Sequence, residues 1–152
     1  SKNLYVKIPI VNTKGKMLNN VIKKINFEKI KVNITAVFTY KQLIKIKSSI
    51  DKKVPVIISI FCGRIADTGI DPELLVKKAV KLFKNHKNVK ILWASTREVF
   101  NYHQAKKCGC HIITMGPKFI EKLKAKKLSL HNYSVDTVKQ FYIDGKKSKF
   151  KI

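Results

Sequence analysis

Residues 54–61 read VPVIISIF, a continuous run of apolar and mostly β-branched side chains. Such a run predicts a strand that is covered on both faces, as strands of parallel sheets are. Four more runs of this kind occur, at residues 4–10, 32–38, 89–94 and 111–114. The sequence therefore predicts five strands of a parallel sheet.

Lysine-rich segments with helical periodicity separate these runs. Helices are predicted at residues 16–25, 40–50, 72–84, 98–107, 117–126 and 136–143. In the first, Met17, Val21 and Ile25 are expected to face the core. Asp71 before Pro72 is typical of a helix start, and Gly109 of a helix end. Strands that alternate with helices indicate βαβ units, in either a doubly wound sheet or a (β/α)₈ barrel.

The chain is strongly basic, with a formal net charge of +24 over 152 residues. A nucleic-acid-binding domain is one interpretation. However, only two of the 33 basic residues are arginines, the residue type that reads bases and grips phosphates best. The lysines are also spread over every predicted helix. This pattern favours a solvated, lysine-filled surface, so we regard a nucleic-acid partner as the weaker interpretation.

The cysteine count and hydropathy favour a cytoplasmic protein with no membrane contact. Three cysteines, Cys62, Cys108 and Cys110, are too few for a disulfide framework, and their spacing fits no zinc or redox motif. No apolar run reaches the length of a membrane span, and no segment has the pattern of a signal peptide.

Polar side chains cluster near the ends of the predicted strands, where parallel α/β folds place their sites. Lys7 lies within an apolar strand; it either extends to solvent at a sheet edge or enters the barrel, where burial would favour the nucleophilic neutral amine. Asn33 and Thr35 share one strand face and form either a satisfied buried pair or part of a site.

Both arginines of the chain, Arg64 and Arg97, come just after predicted strands. Ser59 and Phe61 end one of these strands and Ser95 follows the other. A loop that presents a planar guanidinium just after a strand favours a role in phosphate recognition. Ser95 and nearby backbone amides could donate further hydrogen bonds to the same phosphate. Structural salt bridges are the alternative role for the two arginines.

At these residues the chain resembles the transaldolase family, including the short fructose-6-phosphate aldolase-like members. The matching stretches are YVKIPIVNTKG, KVNITAVFTYKQ, ISIFCGRIADTGIDP, ILWASTREVF, CGCHIITMGPKFIEKL and YSVDTVKQFY. The resemblance implies a (β/α)₈ TIM barrel of the class I aldolase type. Residues 1–152 would form one partial domain with units four to eight, and residues 133–152 its C-terminal helix and tail.

The resemblance also implies a chemistry: reversible aldol cleavage or transfer on sugar phosphates, in carbohydrate metabolism such as the pentose phosphate pathway, with no metal or organic cofactor. Lys7 would be the Schiff-base lysine. Asn33 would bind substrate near the reacting carbon and Thr35 would hold the catalytic water. Ser59 and Phe61 would line the channel, and the phosphate would bind at Arg64, Ser95 and Arg97.

Three features of the family lie on barrel strands one to three, which have no counterpart in residues 1–152: a general acid/base aspartate, a substrate-binding asparagine and a water-orienting glutamate. A catalytically inactive fragment or interaction partner with the same fold is therefore the second interpretation. The donor and acceptor sugars, and transaldolase against aldolase activity, stay open. In short family members the C-terminal tail packs on a neighbouring subunit, which implies a homo-oligomer.

Overall fold

The computed structural model describes residues 4–125 and 128–148, which belong to two compact units, one up to Ile120 and one from Glu121. The first unit contains a five-stranded parallel sheet. Its strands are β1 Val6–Pro9, β2 Val32–Val37, β3 Val56–Ile60, β4 Val89–Trp93 and β5 Ile112–Ile113. All five predicted strands are confirmed, each shorter than its apolar run; β1 covers four residues of 4–10, and β5 covers two of 111–114. The expectation of a single domain stays a prediction.

The spatial order of the strands, β1-β2-β3-β4-β5, is the same as their order along the chain. A doubly wound sheet reverses its direction at a switch point, and this sheet does not. Because each parallel crossover is right-handed and moves in the same direction, the connecting helices cover one face of the sheet. The architecture is that of a partial (β/α) barrel, as predicted.

Six helices connect or follow the strands in and around this unit. They are α1 Asn19–Phe27, α2 Tyr40–Lys47, α3 Cys62–Ala66, α4 Glu73–Leu82, α5 Phe100–Lys107 and α6 Pro117–Lys124. The start of α2 is fixed by a capping box between Thr39 and Gln42. Gly109 follows α5 with φ +76°, as expected of a residue that ends a helix.

Details of the prediction were wrong at the first helix and after β3. The first helix begins at Asn19 rather than 16, because Asn12 Oδ1 accepts hydrogen bonds from two following amides and forms a tight turn first. Its buried side chains are Ile22 and Asn26, whereas Val21 is 45% exposed. The short helix α3 replaces the loop that was expected after β3.

The capping interaction before α4 is shifted by one residue. Asp71 Oδ1 accepts a hydrogen bond from the amide of Glu73 at 2.9 Å, so the aspartate satisfies a first-turn donor as predicted. The helix itself begins at Glu73, and Pro72 precedes it instead of being its first residue.

The hydrophobic core lies between the sheet and the helices. Every second residue of the central strands is fully or almost fully buried, and these residues are in register across the sheet. They pack against apolar residues of α1, α2 and α4. The set includes Ile34, Ile58, Ile60, Ile91 and Trp93 from the strands and Ile22, Leu43, Ile46 and Val76 from the helices. Each fully buried aliphatic side chain contributes about 1.5–3 kcal/mol. Since strand side chains alternate, the residues between them point to the opposite face of the sheet.

The second unit contains α7, Leu130–Ser148. It begins earlier than the predicted start near 134–136, because Ser129 caps it through the amide of Asn132. Residues 149–152 of the predicted tail and residue 126 of the predicted sixth helix lie outside the described residues. In residues 4–125 and 128–148, no helix combines the length and apolar character needed to cross a membrane.

Candidate active site

One cavity of about 300 Å³ lies on the sheet face opposite the core. It extends from Lys7 and Asn33, near the starts of β1 and β2, to the segments that follow β3 and β4. All eight residues named from the sequence line it: Lys7, Asn33, Thr35, Ser59, Phe61, Arg64, Ser95 and Arg97. Leu92, Ala94 and Thr114 complete the lining. The structure thus brings the eight residues together, at a volume near the lower end for small-molecule sites.

Lys7 is positioned by β1, where it is in register with Asn33 of β2, so the two side chains share a face. The side chain of Lys7 is exposed, so the burial expected of an inward lysine is not found in this chain. No carboxylate pairs with Lys7 among the ion pairs of the described residues. The amine therefore borders the cavity without an ion-pair partner in that part of the chain.

Asn33 is oriented by a hydrogen bond from the neighbouring strand. Ser59 Oγ donates to Asn33 Oδ1 at 2.7 Å. Ser59 is buried and comes from β3, so the acceptor end of the Asn33 amide is fixed on a rigid element. With its oxygen engaged in this way, Asn33 keeps its amide nitrogen as a donor beside Lys7.

Thr35 is buried, and its Oγ1 has no hydrogen-bond partner within the described residues. A buried hydroxyl without a partner costs about 1–3 kcal/mol, which is why such groups mark places where water or ligand binds. The next residue, Ala36, has φ +56° and lies at a register shift between Ile34 and Val37. Strained backbone and bulges concentrate beside functional sites. Nothing in the sequence pattern indicated this bulge.

Gly63 lies on α3, just after β3, and its backbone packs closely against Ser95, just after β4. A Cβ at this position would lie 1.6 Å from the carbonyl oxygen of Ser95, so only glycine allows the close approach. Ser95 itself has φ +63°, a conformation that non-glycine residues rarely adopt. The contact brings Arg64 on α3 and Arg97 after β4 to the same cavity. The Gly-Arg pair in the sequence indicated an arginine-presenting loop but not this contact.

Arg97 is held by Asp67, which follows α3. Its Nε and Nη2 donate to the two carboxylate oxygens of Asp67 at 3.3 and 2.6 Å. These hydrogen bonds, together with smaller electrostatic contributions from Arg97 and then Arg64, lower the pKa of Asp67 below its usual value. The salt bridge that was the alternative role for the arginines is therefore present at Arg97. Sequence reasoning did not assign Asp67 to the site.

Arg64 approaches the cavity in a different way. Its guanidinium carbon lies 5.7 Å from the ring centroid of Phe61, a cation–π arrangement. No ion pair of Arg64 is found among the described residues. With two guanidinium groups and one carboxylate, this end of the cavity stays positive and suits an anion such as phosphate.

The cysteine beside the cavity is not suited to act as a nucleophile. Burial, with a smaller contribution from Cys110, raises the pKa of the Cys62 thiol far above its usual value. Burial likewise raises the pKa of Cys110 to about 12. A thiol that stays protonated at neutral pH is a weak nucleophile. Neither thiol lines the cavity, and both stay protonated at neutral pH.

Fold and site together define a parallel α/β barrel segment in which one cavity is lined by a lysine and an amide on the strands and by two arginines that follow them. Residues 1–152 match the family described as Transaldolase/Fructose-6-phosphate aldolase. The chain belongs to this family.

Curated relatives agree with the family match. Proteins named probable transaldolase are 31% identical in Herpetosiphon aurantiacus, 32% in Nitrosopumilus maritimus and 29% in Thermoanaerobacter sp.. The matches cover 80%, 88% and 99% of this chain but 52%, 59% and 64% of the relatives. The chain thus spans about half to two thirds of their length.

Proposed function

We propose that this chain carries the Schiff-base part of a transaldolase-like class I aldolase that acts on sugar phosphates in carbohydrate metabolism. One observation supports the proposal above others: a lysine, an oriented amide and two arginines line a single cavity. The family membership supports the same reaction class. A cytoplasmic location is part of the proposal, supported by the three free thiols.

The proposed chemistry begins at Lys7. Its amine attacks the carbonyl carbon of a ketose phosphate to give a carbinolamine, which loses water to form an imine. The protonated imine accepts the electron pair of the breaking C–C bond, so the reaction needs no metal or organic cofactor. The amide nitrogen of Asn33 would donate to a substrate hydroxyl near the reacting carbon, and Thr35 Oγ1 would hold the water.

The two arginines would fix the other end of the substrate. Arg64, Ser95 and Arg97 would bind the phosphate, with Phe61 and Ser59 lining the channel between phosphate and imine. Positioning of this kind converts remote binding energy into orientation of the reacting carbon. The acid/base groups that the family resemblance places on three further strands lie outside residues 1–152. We therefore propose imine formation for this chain and do not propose full catalytic turnover by it.

Borohydride trapping tests imine formation directly. The protein is incubated with fructose 6-phosphate or dihydroxyacetone, reduced, and mapped by mass spectrometry. We expect an adduct on Lys7 that is lost in Lys7→Met. Lys90→Met is the matched control, because Lys90 is an exposed lysine in the same sheet row but does not line the cavity.

The phosphate role is tested in the same assay. Arg64→Gln should lower the adduct yield from fructose 6-phosphate while leaving the yield from unphosphorylated dihydroxyacetone unchanged. An unmodified Lys7, both here and in a longer chain that includes the preceding strands, would contradict the aldolase function. That outcome would favour the inactive interaction partner instead.

We further propose a homo-oligomer in which α7 packs on a second copy. The helix exposes several large apolar side chains, including Tyr133, Val138, Phe141 and Tyr142. Several large apolar side chains exposed on one helix are typical of a protein interface.

A further inference from the structure

A second concave site lies among the helices rather than at the strand ends. It is a groove of about 590 Å³ between α2 and α4. Its polar lining comes from Tyr40 and Lys47 of α2, Lys78 and Lys81 of α4, and Asn85 and His86 just after α4. We propose that this lysine groove binds a short chain of phosphate groups. The proposal is independent of the aldolase chemistry, since α2 and α4 cover the sheet face opposite Lys7.

The cations of the lysine groove are not neutralised by carboxylates of the described chain. No acidic side chain lines the groove, and Lys47, Lys78 and Lys81 form none of the ion pairs found among the described residues. Elsewhere the scarce acidic side chains do pair with lysines, as at Asp51 and Glu73. Like charges around a concave surface create a local positive potential that attracts anions.

One cation is also restrained. The ammonium of Lys78 lies 5.7 Å from the centroid of the Tyr40 ring. A cation–π contact of this kind limits the freedom of a long side chain and so lowers the entropic cost of binding an anion there. It also covers a face of Tyr40 on which a base could otherwise stack. The contact therefore favours a phosphate chain over a nucleic acid.

His86 provides a second observation at the other end of the groove. Its Nδ1 is shut off from solvent and finds no hydrogen-bond partner in the described part of the chain, while its ring packs edge-on against Phe83 at 5.5 Å. Burial, and after it the charges of Lys47 and Lys52, lower the pKa of His86. Cations therefore border the His86 end of the groove as well as the Tyr40 end.

The length of the lysine groove indicates how many linked phosphates a ligand needs in order to reach both of its ends. Tyr40 and Lys47 are the first and last residues of α2, so they lie about 10 Å apart along the helix axis. Lys78 is at the Tyr40 end, whereas Lys47, at the other end of α2, lines the groove together with His86. A single phosphate would reach one end only. Tripolyphosphate, with several linked phosphates, is therefore the probe of choice.

The test uses the imidazole NMR signals of the whole chain, which has four histidines. Titration with tripolyphosphate should move the His86 signal saturably and leave those of His103, His111 and His131 in place. His86→Gln assigns the signal. A His86 signal that stays unmoved at saturating tripolyphosphate would overturn the proposal.

Two triple variants distinguish specific binding in the lysine groove from attraction by the net charge of the protein. Lys47, Lys78 and Lys81 changed together to Gln should weaken binding at least about tenfold. Lys118, Lys122 and Lys124 of α6, exposed and also changed to Gln, remove the same charge and should leave affinity within about threefold. Equal losses in both variants would mean that net charge alone binds the probe.

A third arm distinguishes the ligand class. An oligothymidylate that bound more tightly than tripolyphosphate, with the same dependence on Lys47, Lys78 and Lys81, would replace the proposal with a nucleic-acid groove. Borohydride trapping on Lys7 should be unchanged in the groove variant, so failure here and failure of the proposed function are distinguishable.

Discussion

Changing Gly63 to alanine should disrupt the contact between the segments that carry Arg64 and Arg97. The new Cβ would lie 1.6 Å from the carbonyl oxygen and 2.8 Å from the carbonyl carbon of Ser95. An ordinary carbon–oxygen contact is about 3.3 Å, so α3 and the end of β4 must separate by more than about 1.5 Å. The obstacle is backbone, which cannot rotate away as a side-chain tip could.

The cost follows from the same geometry. Overpacking typically costs about 1–3 kcal/mol, and a clash with main chain on both sides belongs at the upper end. A glycine that could accept alanine would instead gain about 0.4–1 kcal/mol through the unfolded state. We therefore expect Gly63→Ala to lower the free energy of unfolding by about 3 kcal/mol. The adduct yield from fructose 6-phosphate should fall further than the yield from dihydroxyacetone.

Urea unfolding monitored by fluorescence measures the loss. Trp93 is the only tryptophan, lies on β4 and is buried, so its emission reports on this part of the sheet. The control is Gly15→Ala. Gly15 has φ +74°, but a Cβ there would meet no described atom within 4 Å, so the change should cost only about 1–2 kcal/mol of backbone strain. If Gly63→Ala cost no more than this control, the close approach to Ser95 would be refuted.

Two further predictions concern Asp67 and α7. Asp67 has its pKa lowered by Arg97, so its stabilising effect should be complete above the unfolded carboxyl pKa of about 3.9 and be lost as pH falls through the lower folded value. Urea midpoints of the protein and of Asp67→Asn should therefore differ at pH 6 and converge well below pH 4; a constant difference would exclude the ion pair as its cause. Phe141→Asp on α7 should convert the homo-oligomer to monomer in analytical ultracentrifugation, whereas Gln140→Asp should not. A monomer of the unchanged protein would remove the oligomer proposal.

Local patterns predicted the fold well because its strands are buried and continuous. The runs at 32–38 and 54–61 have no competing helical period, and both are strands. Strand order and closure are tertiary properties, so composition and spacing left two architectures open until the family resemblance was added. The predicted start of α1 was wrong because the side chain of Asn12 binds two backbone amides and forms a turn before the helix. Hydrophobic periodicity does not show such competition from a side chain.

The candidate site could be named residue by residue, but its internal contacts could not. Family motifs pointed to Asn33 and Ser59 separately, whereas their hydrogen bond depends on the register of β2 against β3. Asp67 was visible near Arg64 in the sequence, yet its partner is Arg97, 30 residues away. Such pairings arise only when strand ends meet in space.

A sheet whose spatial order repeats its chain order has a kinetic consequence. Each strand pairs only with its predecessor and successor in sequence, so every strand pairing closes one short loop at a time. Folding can then propagate from unit to unit, as in a solenoid, without waiting for distant segments to meet. Stretches of such a chain can acquire their packing one after another, for example while the polypeptide is still leaving the ribosome.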